Sequence, residues 1–443
     1  MFSQVAFALI AGAAVGFSAM QFHRIRQNIL LGRDEDMPGS TGIRWRNVLL
    51  VAFGQQKMFK NWLAAVLHFF IYAAFLVTQL ELAEIFIDGL LGRHRFFYPF
   101  LGSFYTFVIN FIEILSLLAL IGTLIFLARR NLLRIPRFTR PELKGWPFKD
   151  ANIILVLEIF LIFFIFLMNS ADMALQSNAY GFVISGLLSP LWEGVPESTL
   201  HLMERAGWWG HVLVVFGFLN YLPFSKHLHI ILAFPNTYYA HQNPRGEMEN
   251  MPAIMQEVKS MLGIGEAVTA ESGEIPEFGA NDVTTLSWKN LLDAYSCTEC
   301  GRCTAACPAN ITGKKLSPRK IMMDIRDRAD EVGRKIRSED TSLAADPSLP
   351  LSGKNFSDGK SLFDYISPEE LHACTTCNAC VEACPVLINP LDPILKMRRY
   401  EILTLSQGPS DWLPMFNSME NSGAAWAMSV DRDAWRNQLN SGE

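Results

Sequence analysis

The chain has 443 residues, half of them hydrophobic and 12% aromatic, yet it carries a formal net charge of -5. By length it holds about two to three domains, and the mixture points to apolar spans attached to an ordinary soluble domain, with no basic surplus to suggest a nucleic-acid partner. All eight cysteines fall between positions 297 and 384, which excludes a secreted disulfide scaffold and points to metal chemistry in a reducing compartment.

Five segments approach the roughly 20 apolar residues that a helix needs to cross a bilayer. They are 2–20, 62–85, 101–128, 153–169 and 208–232. The first could also be read as a signal peptide, but it lacks a basic leading region and a convincing cleavage site. Loop 21–60 carries seven basic residues (Arg24, Arg26, Arg33, Arg44, Arg46, Lys57, Lys60). Loop 129–150 carries another seven (Arg129, Arg130, Arg134, Arg137, Arg140, Lys144, Lys149). The alternate loops hold only Arg93, Arg95 and Arg205. The positive-inside rule then places the amino terminus outside and residues 235–443 in the cytoplasm, where thiols stay reduced. The expected location is the cytoplasmic (inner) membrane, crossed several times.

Residues 236–285 read as a linker, and the remainder as helices and loops without an alternating strand pattern. Ser317-Pro318 and Ser367-Pro368 look like helix starts, with serine as cap and proline in the first turn. The stretch 341–361, rich in Ser, Asp, Pro and Gly, reads as a surface loop. The expected fold is all-α: a five-helix transmembrane bundle (1–235), the linker (236–285), a cytoplasmic α-helical ferredoxin domain (286–404) and a partner-binding tail (405–443).

The cysteines form two runs, SCTECGRCTAACPAN and ACTTCNACVEACPVL. Both are C-x2-C-x2-C-x3-C-P. In such runs three thiolates wrap one cubane and the fourth ligates the other cluster. Cys297, Cys300, Cys303 and Cys384 are therefore assigned to one [4Fe-4S] cluster, and Cys374, Cys377, Cys380 and Cys307 to a second. Zinc favours separate CxxC pairs over four-cysteine runs of this kind. No cysteine is left for redox-active thiol chemistry, so two such clusters can only relay electrons.

Among nine histidines, His68 in the second segment and His211 and His229 in the fifth stand out. On one continuous helix His211 and His229 share a face, about five turns and 27 Å apart. His68 and His229 then lie at matched cytoplasmic depth and can clasp one haem b between two imidazoles. The alternative is two polar packing residues. His211 has no histidine opposite it: the outer half of the second segment offers Thr78, Gln79 and Glu81. His227 lies about 200° around a continuous helix from His229 and should point elsewhere. Lys226 is an interface anchor for lipid phosphates or haem propionates. Glu113 and Glu158 lie inside apolar segments, where carboxylates default to functional hypotheses. They are candidates for the proton path of quinone reduction, or else structural carboxyls.

Residues 1–235 resemble the cytochrome b subunit of respiratory nitrate reductase. VLH at 66–68 and PFSKHLH at 223–229 are similar to the ligand segments of its second and fifth spans, and His211 falls at its outer-haem ligand. Thr78 stands near that family's other second-span histidine, which puts the outer haem in question. Residues 280–404 resemble the iron–sulfur subunit of heterodisulfide-reductase-type complexes through WKNLLDAYSCTECGRCTAACPA and ISPEELHACTTCNACVEACPV. The combination is similar to membrane oxidoreductases that pass electrons from electron-transfer flavoprotein to menaquinone. In those, the pattern seen here as SMENSGAAWAMSVDRDAW leads to a CCG-type domain. No CCG follows it here, so the resemblance implies a separate CCG-domain partner, with electron-transfer flavoprotein or another cytoplasmic dehydrogenase beyond it.

Overall fold

A computed structural model of the chain describes residues 1–176, 180–264, 278–426, 435, 436 and 439. Among the described residues there are helices, turns and two isolated bridges, Arg33 with Ser287 and Ala344 with Phe356, but no strand. The chain divides into two compact units. One comprises residues 1–250 with 282–392, the other 251–281 with 393–443.

In the larger unit four helical stretches are long and apolar enough to cross a membrane: Phe2–Ile29, Thr41–Leu91, Ser103–Asn131 and Trp146–Leu175. We call the helices α1 (Phe2–Ile29), α2 (Trp62–Leu91), α3 (Ser103–Asn131) and α4 (Trp146–Leu175). Helical geometry follows from composition: in hydrocarbon every backbone polar group must be satisfied within its own segment. α2 stops at Gly92, whose φ of 64° supplies the left-handed cap, with its N–H on Asp88 O. α4 opens after Gly145 with a proline in its first turn.

α5 (Glu197–Tyr221) is 25 residues long and is not one of those four, because Glu197, His201, Glu204 and Arg205 dilute its apolar content. It differs from the expected 208–232 helix in a second way. It ends at Tyr221, and two short 3-10 turns (Leu222–Phe224 and Lys226–Leu228) precede α6 (His229–Tyr238). Ser225 between the turns is extended (φ -119°, ψ 151°), and its hydroxyl accepts from His227 N. Asp150, 2% exposed at the start of α4, fixes the break. It accepts from Tyr221 OH at 2.5 Å and from Lys226 N at 3.0 Å. His211 and His229 therefore do not share one helical face.

Phe7 is fully buried, its ring 5.6–6.5 Å from those of Phe86, Trp208, Trp209 and Phe216. α5 lies close along α4 because Gly207 has no side chain: a Cβ there would stand 2.6 Å from Met168 N.

The loop after α2 folds inward. Arg95, counted in the sequence as a loop charge, is 4% exposed. Its guanidinium reaches Asp172 at 3.3 Å, Glu81 at 3.3 Å and Asn169 at 2.5 Å. Glu84 accepts from Tyr105 OH at 2.6 Å. Arg95→Met leaves these carboxylates buried without their cation. The expected loss is about 3–5 kcal/mol, read as a lower thermal midpoint.

The cysteine region of this unit begins with α7 (Trp288–Tyr295), whose cap Ser287 forms a capping box with Asn290. α8 (Arg302–Ala306), α9 (Pro318–Arg337) and α10 (Ala379–Ala383) follow. Ser317 caps α9 and Ser367 caps Pro368–His372, both with proline in the first turn as expected. The stretch 341–361 holds two short 3-10 turns and the Ala344–Phe356 bridge, in keeping with the loop reading. α9 docks on α1, where Asn28 bonds Tyr295 OH and Asp330, each at 2.9 Å, and Arg337 at 2.7 Å.

In the smaller unit, helix Pro252–Met261 leads to a segment in which Ala280 N bonds Lys396 O at 3.0 Å. Trp412–Ser422 forms its last described full helix. Residues 427–434 of the expected tail pattern lie outside the described residues.

Candidate iron–sulfur and histidine site

The two cysteine runs fold alike. In the first, Glu299 and Gly301 take positive φ (52° and 71°); in the second, Thr376 and Asn378 do so (57° and 59°). Each left-handed pair turns the loop around its second cysteine and brings successive N–H groups to one side. α8 and α10 then carry the third cysteines and pack against each other. Each ends at an extended fourth cysteine, Cys307 (φ -76°) or Cys384 (φ -72°), followed by proline. Thr376 N donates to Cys374 Sγ at 3.4 Å and Ile388 N to Cys384 Sγ at 3.3 Å.

Each fourth cysteine lies within electrostatic reach of cysteines of the other run. Cys384 lies within electrostatic reach of Cys297 and Cys300, and Cys303 within reach of those three and of Cys380. Cys380 neighbours Cys374, Cys377 and Cys307. Burial pushes the Cys297 thiol up to about 11 and those of Cys380 and Cys384 up to about 12. Converging thiols whose burial outweighs the cations near them suit a metal centre, because a coordinated thiol is deprotonated outright. Cys377 is exposed, whereas Cys297, Cys307, Cys380 and Cys384 are buried. The second set therefore presents an open edge.

The first loop is tied to the helical bundle at two points. Arg302 donates to Lys57 O at 3.2 Å and Met58 O at 3.4 Å, just ahead of α2. Glu299, 5% exposed, receives the Lys226 ammonium on one oxygen and Arg326 Nη1 on the other at 2.9 Å. Burial alone would raise the Glu299 carboxyl, but Lys226 and Arg326 hold it below its usual range. The Lys226 ammonium also meets Pro147 O at 2.7 Å. The structure thus gives this lysine protein oxygens in place of the expected lipid or propionate contact.

His68, His227 and His229 lie within electrostatic reach of one another, and Arg302 within reach of His68. His68 Nδ1 is 3.1 Å from Gln55 Oε1, and His229 Nδ1 is 2.9 Å from Lys226 O. Both partners are oxygens that only accept, so each Nδ1 carries the proton and each Nε2 keeps its lone pair. This is the orientation that a metal-ligating imidazole needs. His227, expected to face away, has its ring 5.6 Å from that of His229, because the turn at 226–228 replaces a continuous helix. Among the described residues no group bonds His227 Nδ1.

His211 Nδ1 lies 3.0 Å from Leu161 O on α4, away from this group. Glu113, 1% exposed, accepts from Ile184 N at 2.8 Å, Ser185 N at 3.2 Å, the Ser185 hydroxyl and Asn169 Nδ2 at 3.4 Å. With four donors it anchors the loop after α4, as a structural carboxylate does. Glu158 faces Thr123 between α4 and α3.

Gln55, Asp150, Glu299 and Arg326 escaped the sequence reading. Only Glu299 carried a local signal: a carboxylate inside a C-x2-C loop needs a cation beside it. The other three come from distant segments.

Residues 296–388 match the family described as 4Fe-4S dicluster domain. Over 432 residues the chain is 28% identical to the probable iron-sulfur-binding oxidoreductase FadF of Bacillus subtilis, covering 93% of this chain and 57% of that one. Over 404 residues it is 26% identical to the EtfAB:quinone oxidoreductase of Syntrophomonas wolfei, covering 87% and 52%. Over 112 residues it is 30% identical to one of the subunits of the ferredoxin:CoB-CoM heterodisulfide reductase of Methanosarcina mazei, covering 25% and 48%. The chain spans about half the length of the curated relatives it matches. No solved structure matches it.

Proposed function

We propose that the chain is a membrane electron-transfer subunit linking a cytoplasmic flavoprotein, through a CCG-type partner, to menaquinone. Cys297, Cys300, Cys303 and Cys384 would hold one [4Fe-4S] cluster, and Cys374, Cys377, Cys380 and Cys307 the other. His68 and His229 would hold one haem b in a nitrate-reductase-like cytochrome bundle. When bound, these groups supply one-electron carriers between a two-electron donor and a two-electron acceptor.

The carrying observation is the double tie of the Cys297–Cys303 loop to the histidine segments, through Glu299 to Lys226 and through Arg302 to the backbone ahead of α2. It supports a path between the cysteine loop and the segments that carry the imidazoles, which belong to one compact unit. The exposed edge at Cys377 supports electron exchange with a partner at the second cluster. The names of the relatives from Bacillus and Syntrophomonas support an oxidoreductase, and the latter name supports a quinone acceptor. The proposed setting is the inner membrane, with the amino terminus outside.

Purified protein should contain about eight irons and eight acid-labile sulfides beyond haem iron. Vesicles holding the complex should oxidise reduced electron-transfer flavoprotein only when a menaquinone analogue is present. Absence of quinone-dependent turnover would reject the quinone-reductase reading, and net quinol oxidation would reverse its direction. Full engagement of Glu113 favours a second reading to the extent that it removes one proton donor: a conduit that delivers electrons to a neighbouring complex. Lipid extraction separates the two, since the conduit binds no quinone.

A further inference from the structure

We infer that Lys226 and Glu299 form a charged tie that sets the reduction potential of the first cluster and holds its loop against the haem-binding histidine segment. This rests on the ligand sets proposed above. Glu299 stands between Cys297 and Cys300, so its carboxylate adds negative charge where thiolates converge. The tie is nearly dry: the Lys226 side chain is 11% exposed and that of Glu299 is 3% exposed. Lys226 also stands 3.8 Å from Asp150 Oδ2, and Arg326 closes the far side of Glu299. Burying such a carboxylate is tolerable only with its cations in place.

The loop itself does not require this carboxylate. Thr376 occupies the matching position of the second run and adopts the same left-handed backbone (φ 57°) without charge. The second run also meets the segment ahead of α2, through Glu382 on its α10 and Lys60, but it places no charge inside its C-x2-C loop. Lys226 serves both sides at once: its ammonium holds the cysteine loop, and its carbonyl accepts the proton of His229 Nδ1 at 2.9 Å. A purely structural clamp would use the same contacts. It would not, however, make the potential of one cluster follow the charge balance at Lys226 and Glu299.

The test is an EPR-monitored redox titration of the purified full chain with both clusters present. Lys226→Met makes the surroundings of the first cluster more negative. Its reduced-to-oxidised ratio at fixed ambient potential should fall about tenfold, which is 59 mV for a one-electron centre. The second cluster should not move. Glu299→Gln should shift the first cluster the opposite way. The double variant should return it toward the wild-type value, and Lys226→Arg should keep it there. Hydrogen exchange in residues 297–303 should rise in Lys226→Met but not in Lys226→Arg.

Unchanged first-cluster potentials in both single variants, or equal shifts of both clusters, would overturn the inference. Should Lys226→Met fail to hold its cluster, the sign of the Glu299→Gln shift decides. Wild-type iron content separately tests the ligand sets. Fewer than two clusters there would defeat the functional reading, whereas two clusters with unmoved potentials defeat only the tie.

Discussion

Cys384→Ser is expected to destroy the first cluster, although Cys384 belongs to the second cysteine run. Iron should fall from about eight to about four atoms per chain, beyond any haem iron. The surviving EPR signal should be that of the Cys374, Cys377, Cys380 and Cys307 set. The reason is geometric. α10 ends just ahead of Cys384, and the extended backbone there, with proline next, leaves its thiol within electrostatic reach of Cys297 and Cys300. Serine keeps the size but binds iron less well, and the Ile388 N–H that now meets Cys384 Sγ at 3.3 Å would lose a sulfur acceptor. Cys300→Ser should give the same spectrum, and Cys307→Ser the complementary one. If instead Cys384→Ser and Cys377→Ser behave as a pair, each run binds its own cluster and the exchange of fourth cysteines is wrong. Because Cys384 is buried, a failure of folding must be separated from a loss of ligand. Retention of the second signal at full strength makes that separation.

What was legible in the sequence follows from how local each signal is. The cysteine runs are fixed by spacing alone, and the loops around Glu299 and Thr376 repeat one backbone pattern because they repeat one spacing. The apolar helices were legible because hydrocarbon leaves the backbone no alternative. The break at 222–228 was not. Pro223, in the interior of the expected 208–232 segment, signals a kink or break, but not the two 3-10 turns around an extended Ser225. Asp150 makes the break by holding Tyr221 OH and Lys226 N from another helix, and no local pattern announces that. Two further misreadings came from the same source: the shared face of His211 and His229, and the outward turn of His227. Arg95 illustrates the converse. Counted for orientation as a loop charge, it is buried among Glu81, Asn169 and Asp172, which lie far from it in sequence.

The histidine variants test the membrane half of the proposed function. His68→Ala and His229→Ala should each abolish the absorbance of a low-spin haem b, because losing either axial imidazole leaves the macrocycle weakly held. Before substitution the haem should be six-coordinate and resist carbon monoxide. His211→Ala should spare it. His211 is held by Leu161 O on α4, and losing that bond should cost about 1 kcal/mol of stability rather than a cofactor. The break after Tyr221 adds a sharper control than a continuous helix would allow. His227 now stands beside His229, so it is a competing imidazole on the same segment. The two differ in orientation. His229 Nδ1 is fixed by Lys226 O, which directs Nε2 as a ligand requires, while no described group bonds His227 Nδ1. His227→Ala should therefore retain the haem with at most a shifted spectrum. If His227→Ala removes it and His229→Ala does not, the ligand is His227, and the Lys226 carbonyl orients a neighbour instead. If only His211→Ala removes it, the haem lies near α4 and the double tie to the cysteine loop no longer joins the two redox sites.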